Sequence, residues 1–381
     1  MRTPDPDDPG APVHDPVPGP PPSPDDVRVD PDGGVMVKVA LTTAGCPLRV
    51  QIRQDVESKV RGLPGVTAVK VEYGEMTREQ KSAAMQRARF NAREQAGPTE
   101  VPSTTRVLAV ASGKGGVGKS SVTVNLAAAL AARGLTVGVL DADIWGFSVP
   151  RMLGIEGRLG GSQGKIAPNV LSVPGTSGGP AGTLKVVSMG FLVDDESTAL
   201  MWRGLILTKA LEQFLTDVRW GDMDYLLVDM PPGTGDIQMG LARLLPQAEM
   251  LVVTTPALAA QKVATRVADM ARRSYMKVVG VVENMSEFVA PDGSRHAVFG
   301  RGGGEALAAE IGVPLVARIP IEPGVSSGGD AGAPVALTDA DGPAGRVFTE
   351  LAARVVDELL PPIEMAGCTA RLLDLVGQIE S

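Results

Sequence analysis

The chain has 381 residues with a formal net charge of −8; 44% of them are hydrophobic and only 3% aromatic. That length suits one large α/β domain with a small companion, and the negative charge and few aromatics exclude a general polyanion binder or a base-stacking nucleic-acid surface. Two cysteines, Cys46 and Cys368, exclude a disulfide framework and suit a reducing, cytoplasmic setting, with no stretch that reads as a membrane span or signal sequence.

Residues 1–26 are rich in Pro, Asp and Gly and are predicted to be a disordered tail. Residues 1–32 hold eight Asp against two Arg, a net −6, which leaves about −2 for the rest. Residues 27–75 read as a small α+β unit. Val35, Val37, Val39 and Leu41 alternate as in a strand, Pro47 to Leu63 has helical apolar spacing, and Val66 to Tyr73 is a second strand. Cys46 precedes that helix, where a helix N-terminus lowers a thiol pKa; a buried, inert cysteine is the alternative. Residues 76–105 form a helical linker closed by Pro98 and Pro102.

From Arg106 to about residue 362 strands and helices alternate, which predicts a mostly parallel sheet flanked by helices. Strands are expected at 106–111, 136–140, 224–230, 250–255, 277–282 and 314–319. Helices are expected at 119–133, 205–215, 237–245, 259–273, 304–310 and 344–360. The glycine-rich stretch 154–182 reads as a long loop. Residues 363–381 form a C-terminal tail with a short helix that docks on the protein.

The apolar run from Val107 breaks into Gly113-Lys114-Gly115-Gly116-Val117-Gly118-Lys119-Ser120-Ser121 at a helix start. Gly113, Gly118, Lys119 and Ser120 fit the phosphate-loop pattern G-x-x-x-x-G-K-S/T. Glycines let backbone N–H groups close around a phosphate, and the new helix offers its positive end to the same anion. Lys119 is expected on the β/γ-phosphates and Ser120 on Mg²⁺. This predicts an ATP site over 113–121.

Two further strand ends carry carboxylates. Asp141 and Asp143 follow the second strand of the main domain, on the ligand side of such a sheet. Asp143 is the candidate to orient the attacking water, and Asp141 to support hydrated Mg²⁺. Asp229 ends the run Tyr225–Val228, where an NTPase holds Mg²⁺. The turn Pro231-Pro232-Gly233-Thr234-Gly235-Asp236 suits a γ-phosphate-sensing switch. Asn284 offers the donor and acceptor that an adenine edge requires.

The loop, with Asp141–Pro150, Met201-Trp202-Arg203-Gly204, Val228–Asp236, Val282–Met285, Phe299–Gly304 and the 319–330 segment, resembles the Mrp/ApbC group of iron–sulfur cluster carrier ATPases. Within their superfamily, Lys114 is similar to the early lysine of the Min, Par and nitrogenase-iron-protein ATPases, which crosses to a partner's nucleotide. The resemblance implies a P-loop ATPase, a homodimer with ATP and Mg²⁺ between subunits, catalytic roles for Lys119, Lys114 and Asp143, and Asn284 on adenine. It also implies iron–sulfur scaffold and recipient apoproteins as partners; the charge, the few aromatics and a C-terminal tail with Arg371 against Asp374 and Glu380 argue for no nucleic acid and no membrane. Around Cys46 the small unit is similar to iron–sulfur assembly factors, abbreviated because their preceding helix and acidic turn give way to the tail.

One departure matters. The group's Cys-x-x-Cys pair, which holds a bridging cluster, is replaced here by Ala290 and Gly293, neither of which can ligate iron. Cys46 and Cys368, doubled in a dimer, are the remaining thiolate candidates for a 4Fe–4S cluster, and the imidazole of His296 is a weak candidate ligand. The expectation is an ATP-hydrolysing cluster carrier. A Min/Par-like positioning switch and a regulatory ATPase without a cluster stay open.

Overall fold

The runs Val107–Ala111 and Tyr225–Val228 offer no charged side chain to water, and both become buried central strands. The computed structural model describes residues 26–41, 49–143, 146–156, 159–162, 164–192, 204–233, 235–290 and 292–363. The chain divides into two compact units, Met1–Asn91 and Ala92–Ser381.

In the first unit, β1 (Val27–Val29) pairs antiparallel with β2 (Gly34–Leu41). β2 runs parallel to β3 (Ala68–Glu75), and α1 (Arg49–Arg61) makes the crossover. The Arg49 guanidinium lies 4.3 Å from the centre of the Tyr73 ring, whose hydroxyl donates to the Arg49 carbonyl at 2.6 Å. The charged helix α2 (Arg78–Gln95) follows. Cys46, residues 1–25, and residues 364–381 with Cys368 lie outside the described residues.

The second unit is built on β4 (Arg106–Ser112), α3 (Lys119–Ala131), β5 (Thr136–Asp141) and the short α4 (Val149–Met152). A small hairpin of β6 (Gly160–Ser162) and β7 (Lys165–Ala167) precedes β8 (Asn169–Val173) and β9 (Gly182–Ser188). Then come α5 (Gly204–Thr216), β10 (Tyr225–Asp229), α6 (Asp236–Leu244), β11 (Glu249–Thr254) and α7 (Leu258–Arg273). The chain continues through β12 (Lys277–Val289), β13 (Arg295–His296), α8 (Gly303–Ile311) and β14 (Leu315–Ile321). It closes with α9 (Pro323–Asp330), α10 (Val335–Thr338) and α11 (Pro343–Arg354).

The sheet runs β12-β11-β4-β10-β5-β9-β8, with β13 and β14 both on β12. It is parallel apart from β8 and β13. Helices α5 to α8 cover one face, with Leu211, Phe214, Leu241 and Val267 in its core. Helices α3, α10 and α11 cover the other, with Leu126, Leu130 and Phe348. α3 is apolar or small on nearly every side and is buried almost throughout, as expected of a helix with no polar face.

Two differences from the sequence reading have physical causes. The stretch expected to be a loop over 154–182 contains β6, β7 and β8 and leads into β9, which extends the sheet beside β5. Glycines interrupt its short alternating runs, so its periodicity is weak, and pairing with β5 decides the outcome. β12 runs to Val289 rather than Val282, because β13 folds back on its end and supplies new hydrogen-bond partners.

Candidate functional site

β4 points its carboxyl end between β10 and β11, and the phosphate-loop sequence begins there. β4 returns through α3 on one face, while its neighbours β10 and β11 return through α6 and α7 on the other, which opens a crevice at this end of the sheet. Ser112 donates from its hydroxyl to the Lys114 carbonyl at 3.0 Å and shapes the loop entry. Gly116 and Gly118 both have φ of +79°, a backbone that L side chains rarely adopt. Lys114, Gly115 and Gly116 are exposed, Val117 is buried, and Lys119 opens α3.

Two of the loop glycines answer to protein neighbours. A Cβ at Gly113 would stand 2.5 Å from the Ala264 nitrogen and from the Val263 carbonyl carbon, so α7 packs against bare backbone there. A Cβ at Gly118 would overlap the Asn284 side-chain nitrogen. Gly115 and Gly116 have open space, which is where a phosphate approach needs it.

Beneath the loop the buried polar groups converge on Asp229, itself wholly buried at the end of β10. Lys119 Nζ donates to Asp229 Oδ1 at 2.7 Å, and the Ser120 hydroxyl donates to Oδ2 at 2.5 Å. Thr123 Oγ1 lies 2.9 Å from Oδ1. Lys119 Nζ also stands 3.7 Å from Asp143 Oδ2, so one ammonium bridges two carboxylates. Lys119 and Asp143 are 6% and 8% exposed, and low solvent exposure makes each pairing strong and each unpaired charge costly.

Asp141 stands beside Asp229 in the β5–β10 register. Its Oδ1 accepts from the Asp143 N–H at 3.1 Å; its Oδ2 accepts from the Ser188 hydroxyl at 3.0 Å and the Val149 N–H at 3.3 Å. It therefore ties the loop after β5 to the end of β9. Burial first, and then the Asp229 charge, pushes its carboxyl up to about 7 against the pull of Lys119 and the Ser188 hydroxyl.

The segment after β10 is held at Gly233 through both backbone polar groups. The Gly233 N–H donates to the Ser112 carbonyl at 2.8 Å, and Gln238 Nε2 of α6 donates to the Gly233 carbonyl at 2.6 Å. Thr234 lies outside the described residues. Asn284 is 6% exposed and donates from Nδ2 to the Val117 carbonyl at 2.9 Å. Met285 beside it has φ of +57°, where the β12–β14 register shifts.

A cleft of about 710 Å³ opens on the other side of β12, lined by Glu283 rather than Asn284. Arg295, Arg301, Arg318 and Arg346 line it together with four glutamates, so it has no formal net charge to draw a phosphate. No residue of the phosphate loop borders it.

Ala290 and Gly293 sit in the tight turn between β12 and β13. The Ala290 N–H donates to the Ser294 carbonyl at 2.9 Å, and the Gly293 N–H donates to the Ala290 carbonyl at 2.8 Å. Gly293 has φ of +84°, which a cysteine would adopt only with strain. His296 is exposed, with Nε2 2.9 Å from the Ser294 hydroxyl. Among the described residues no group of three or more His, Cys, Asp or Glu is arranged to hold a metal ion.

The structure thus brings Lys119, Ser120, Asp143 and Asp229 together, sets Asp141 behind them, and ties Asn284 to the loop. Sequence reasoning missed Thr123, Ser188 and Gln238. Thr123 was within reach, four positions after Lys119 on the same helix face. Ser188 was not, because its strand went unread.

Residues 103–356, about two-thirds of the chain, match the family model described as the NUBPL iron-transfer P-loop NTPase. The chain belongs to that family. Residues 23–72 also match the model of an iron–sulfur cluster assembly protein. Among this NTPase's relatives, the iron–sulfur cluster carrier protein of Mycobacterium leprae is 45% identical over 333 residues, 86% of this chain and 84% of that protein. The protein of the same name from Synechocystis is 40% identical over 329 residues, 86% of this chain and 88% of that one. The Archaeoglobus fulgidus nucleotide-binding protein, solved with ADP, is 33% identical and superposes with a TM-score of 0.52, covering 64% of this chain and 91% of that one. Fold and family therefore agree with the sequence reading: this is a P-loop NTPase with a small N-terminal unit.

Proposed function

We propose that the chain binds and hydrolyses ATP with Mg²⁺ and carries iron–sulfur clusters to recipient apoproteins. The observation that carries the ATPase reading is the convergence of Lys119 and Ser120 on the buried Asp229 directly below a glycine loop, with Lys119 bridging from Asp229 to Asp143. The carrier reading is supported by the names of the relatives and by family matches over both units.

In this account the backbone N–H groups of residues 115–119 hold the phosphates. Lys119 exchanges its carboxylates for the β/γ-phosphates and stabilises charge on the transferring phosphoryl group. Asp143, relieved of Lys119, orients the attacking water. Ser120 and Asp229 are the residues that would hold Mg²⁺, and Asp141 braces the loop that carries Asp143. The ion, when bound, supplies neutralisation of phosphate charge. Asn284 has one N–H on the Val117 carbonyl and keeps its other N–H and its oxygen for an adenine edge. Lys114, exposed and in no ion pair among the described residues, suits a homodimer in which it reaches the partner's nucleotide.

The cluster is cargo. The β12–β13 turn supplies no thiolate for it, so Cys46 and Cys368 are the whole thiol supply of the chain. That turn also favours a second reading, a regulatory ATPase that carries no cluster.

Phosphate release from Mg·ATP tests the ATPase reading. The purified chain is expected to turn over slowly and to stop when Mg²⁺ is chelated. No Mg²⁺-dependent release, with the fold intact, would overturn it.

A further inference from the structure

Among the described residues Asp229 has three side-chain hydrogen-bond partners, and the proposed ATPase cycle draws two of them away. Lys119 and Ser120 are the groups that meet phosphate and metal. Thr123 is the third, one turn deeper in α3 and 0% exposed. Its hydroxyl has one proton and two acceptors in reach, Asp229 Oδ1 at 2.9 Å and the Lys119 carbonyl oxygen at 3.0 Å.

We propose that Thr123 is a positioning residue whose hydroxyl holds the Asp229 carboxylate in the orientation that Mg²⁺ binding requires. The inference rests on the nucleotide-and-magnesium reading given above. The terminal torsion of an aspartate is broad, so a buried carboxylate is fixed only by its partners. When Lys119 turns to a phosphate, Thr123 is the partner that stays. An ionised carboxylate is also a better acceptor than a neutral carbonyl, and loss of the adjacent ammonium strengthens its claim on the proton. The bond is therefore strongest when orientation matters. The plainer role for a threonine inside a helix is back-bonding to the carbonyl four residues earlier, which would leave Asp229 indifferent to it.

Equilibrium binding of a fluorescent ADP, titrated with Mg²⁺ and repeated without metal, separates the two roles. Thr123→Val keeps the shape and removes the hydroxyl. It is expected to raise the Mg²⁺ concentration for half-maximal effect about tenfold, roughly the worth of one charge-assisted hydrogen bond. Metal-free ADP affinity should stay within about twofold, and Thr123→Ser should restore the wild-type Mg²⁺ requirement. In an Asp229→Asn background, Thr123→Val should add almost nothing. Thr123→Ala, which also lacks the hydroxyl, gives the same test should valine crowd the helix. An unchanged Mg²⁺ requirement in the hydroxyl-free variants would overturn the proposal. So would the same shift with and without Asp229, or serine behaving like valine. If nucleotide binding by the wild type ignores Mg²⁺, the ATPase reading fails instead.

Discussion

Lys119 stands between two buried carboxylates, so its removal has two consequences. In the proposed mechanism Lys119→Ala takes away a donor for the transferring phosphoryl group, and kcat should fall by about 100-fold or more. It also removes the ammonium that bridges Asp229 and Asp143, and breaking a buried pair costs about 3–5 kcal/mol. Melting and turnover therefore have to be measured together, and an alanine variant with wild-type stability would argue against the bridging geometry. Asp143→Asn isolates the chemistry: nucleotide affinity should hold while kcat drops about 10²- to 10⁴-fold. Equal losses in affinity and rate would assign Asp143 to binding. These residues were legible in the sequence because phosphate chemistry demands fixed residue types at fixed spacing. Thr123 and Ser188 were not, because their roles depend on which carboxylate the fold sets opposite them. Gly113 was recognised as necessary, but the reason lies in α7 rather than in the phosphate.

At the scale of elements, the phosphate loop is a joint between β4, α3, α7 and β12, and an alanine scan of its glycines should resolve these contacts. Gly113→Ala pushes on the α7 backbone and should destabilise the fold by about 1–3 kcal/mol. Gly118→Ala combines a positive φ with displacement of Asn284, and should cost about 1–2 kcal/mol together with a loss of nucleotide affinity. Gly115→Ala meets open space and should leave the melting temperature unchanged while weakening nucleotide binding. Thermal melts with and without ADP distinguish the three, and a uniform response would contradict the assigned contacts. On the other face of the sheet, Phe348 of α11 is 1% exposed in the core shared with α3, and Phe348→Ala should cost about 3–5 kcal/mol in denaturant unfolding. The alternation of strand and helix from Arg106 onward was readable from apolar runs. β6, β7 and β8 were hidden by glycines and are specified by pairing.

For the whole molecule, the Tyr225 hydroxyl donates to the Leu360 carbonyl at 2.6 Å, and Arg106 Nε donates to the Pro361 carbonyl at 2.6 Å. Together they moor the end of the described chain to the start of the sheet. Burial pushes the Tyr225 phenol up to about 12, with Asp224 adding and Arg106 opposing. The folded pKa lies above the unfolded value of about 10, so this contribution is intact below pH 10 and is lost as pH rises through 12. Tyr225→Phe should cost about 1–3 kcal/mol at pH 8 by leaving the carbonyl unpaired, and should flatten the alkaline loss between pH 10 and 12. Denaturant titrations at pH 8 and pH 11 check both halves, and equal alkaline loss in the two proteins would contradict the mooring role.

The carrier claim rests on the chain's two thiols, and one measurement tests it most directly. The protein would be reconstituted anaerobically with iron and sulfide, in wild type, Cys46→Ala and Cys368→Ala. Iron and sulfide per chain would be counted, and the loaded protein mixed with an apoprotein that needs a 4Fe–4S cluster. The account predicts a stoichiometric cluster, lost in at least one cysteine variant and passed to the apoprotein. No cluster in the wild type, with Mg²⁺-dependent ATP hydrolysis intact, would contradict the carrier reading and leave the regulatory ATPase.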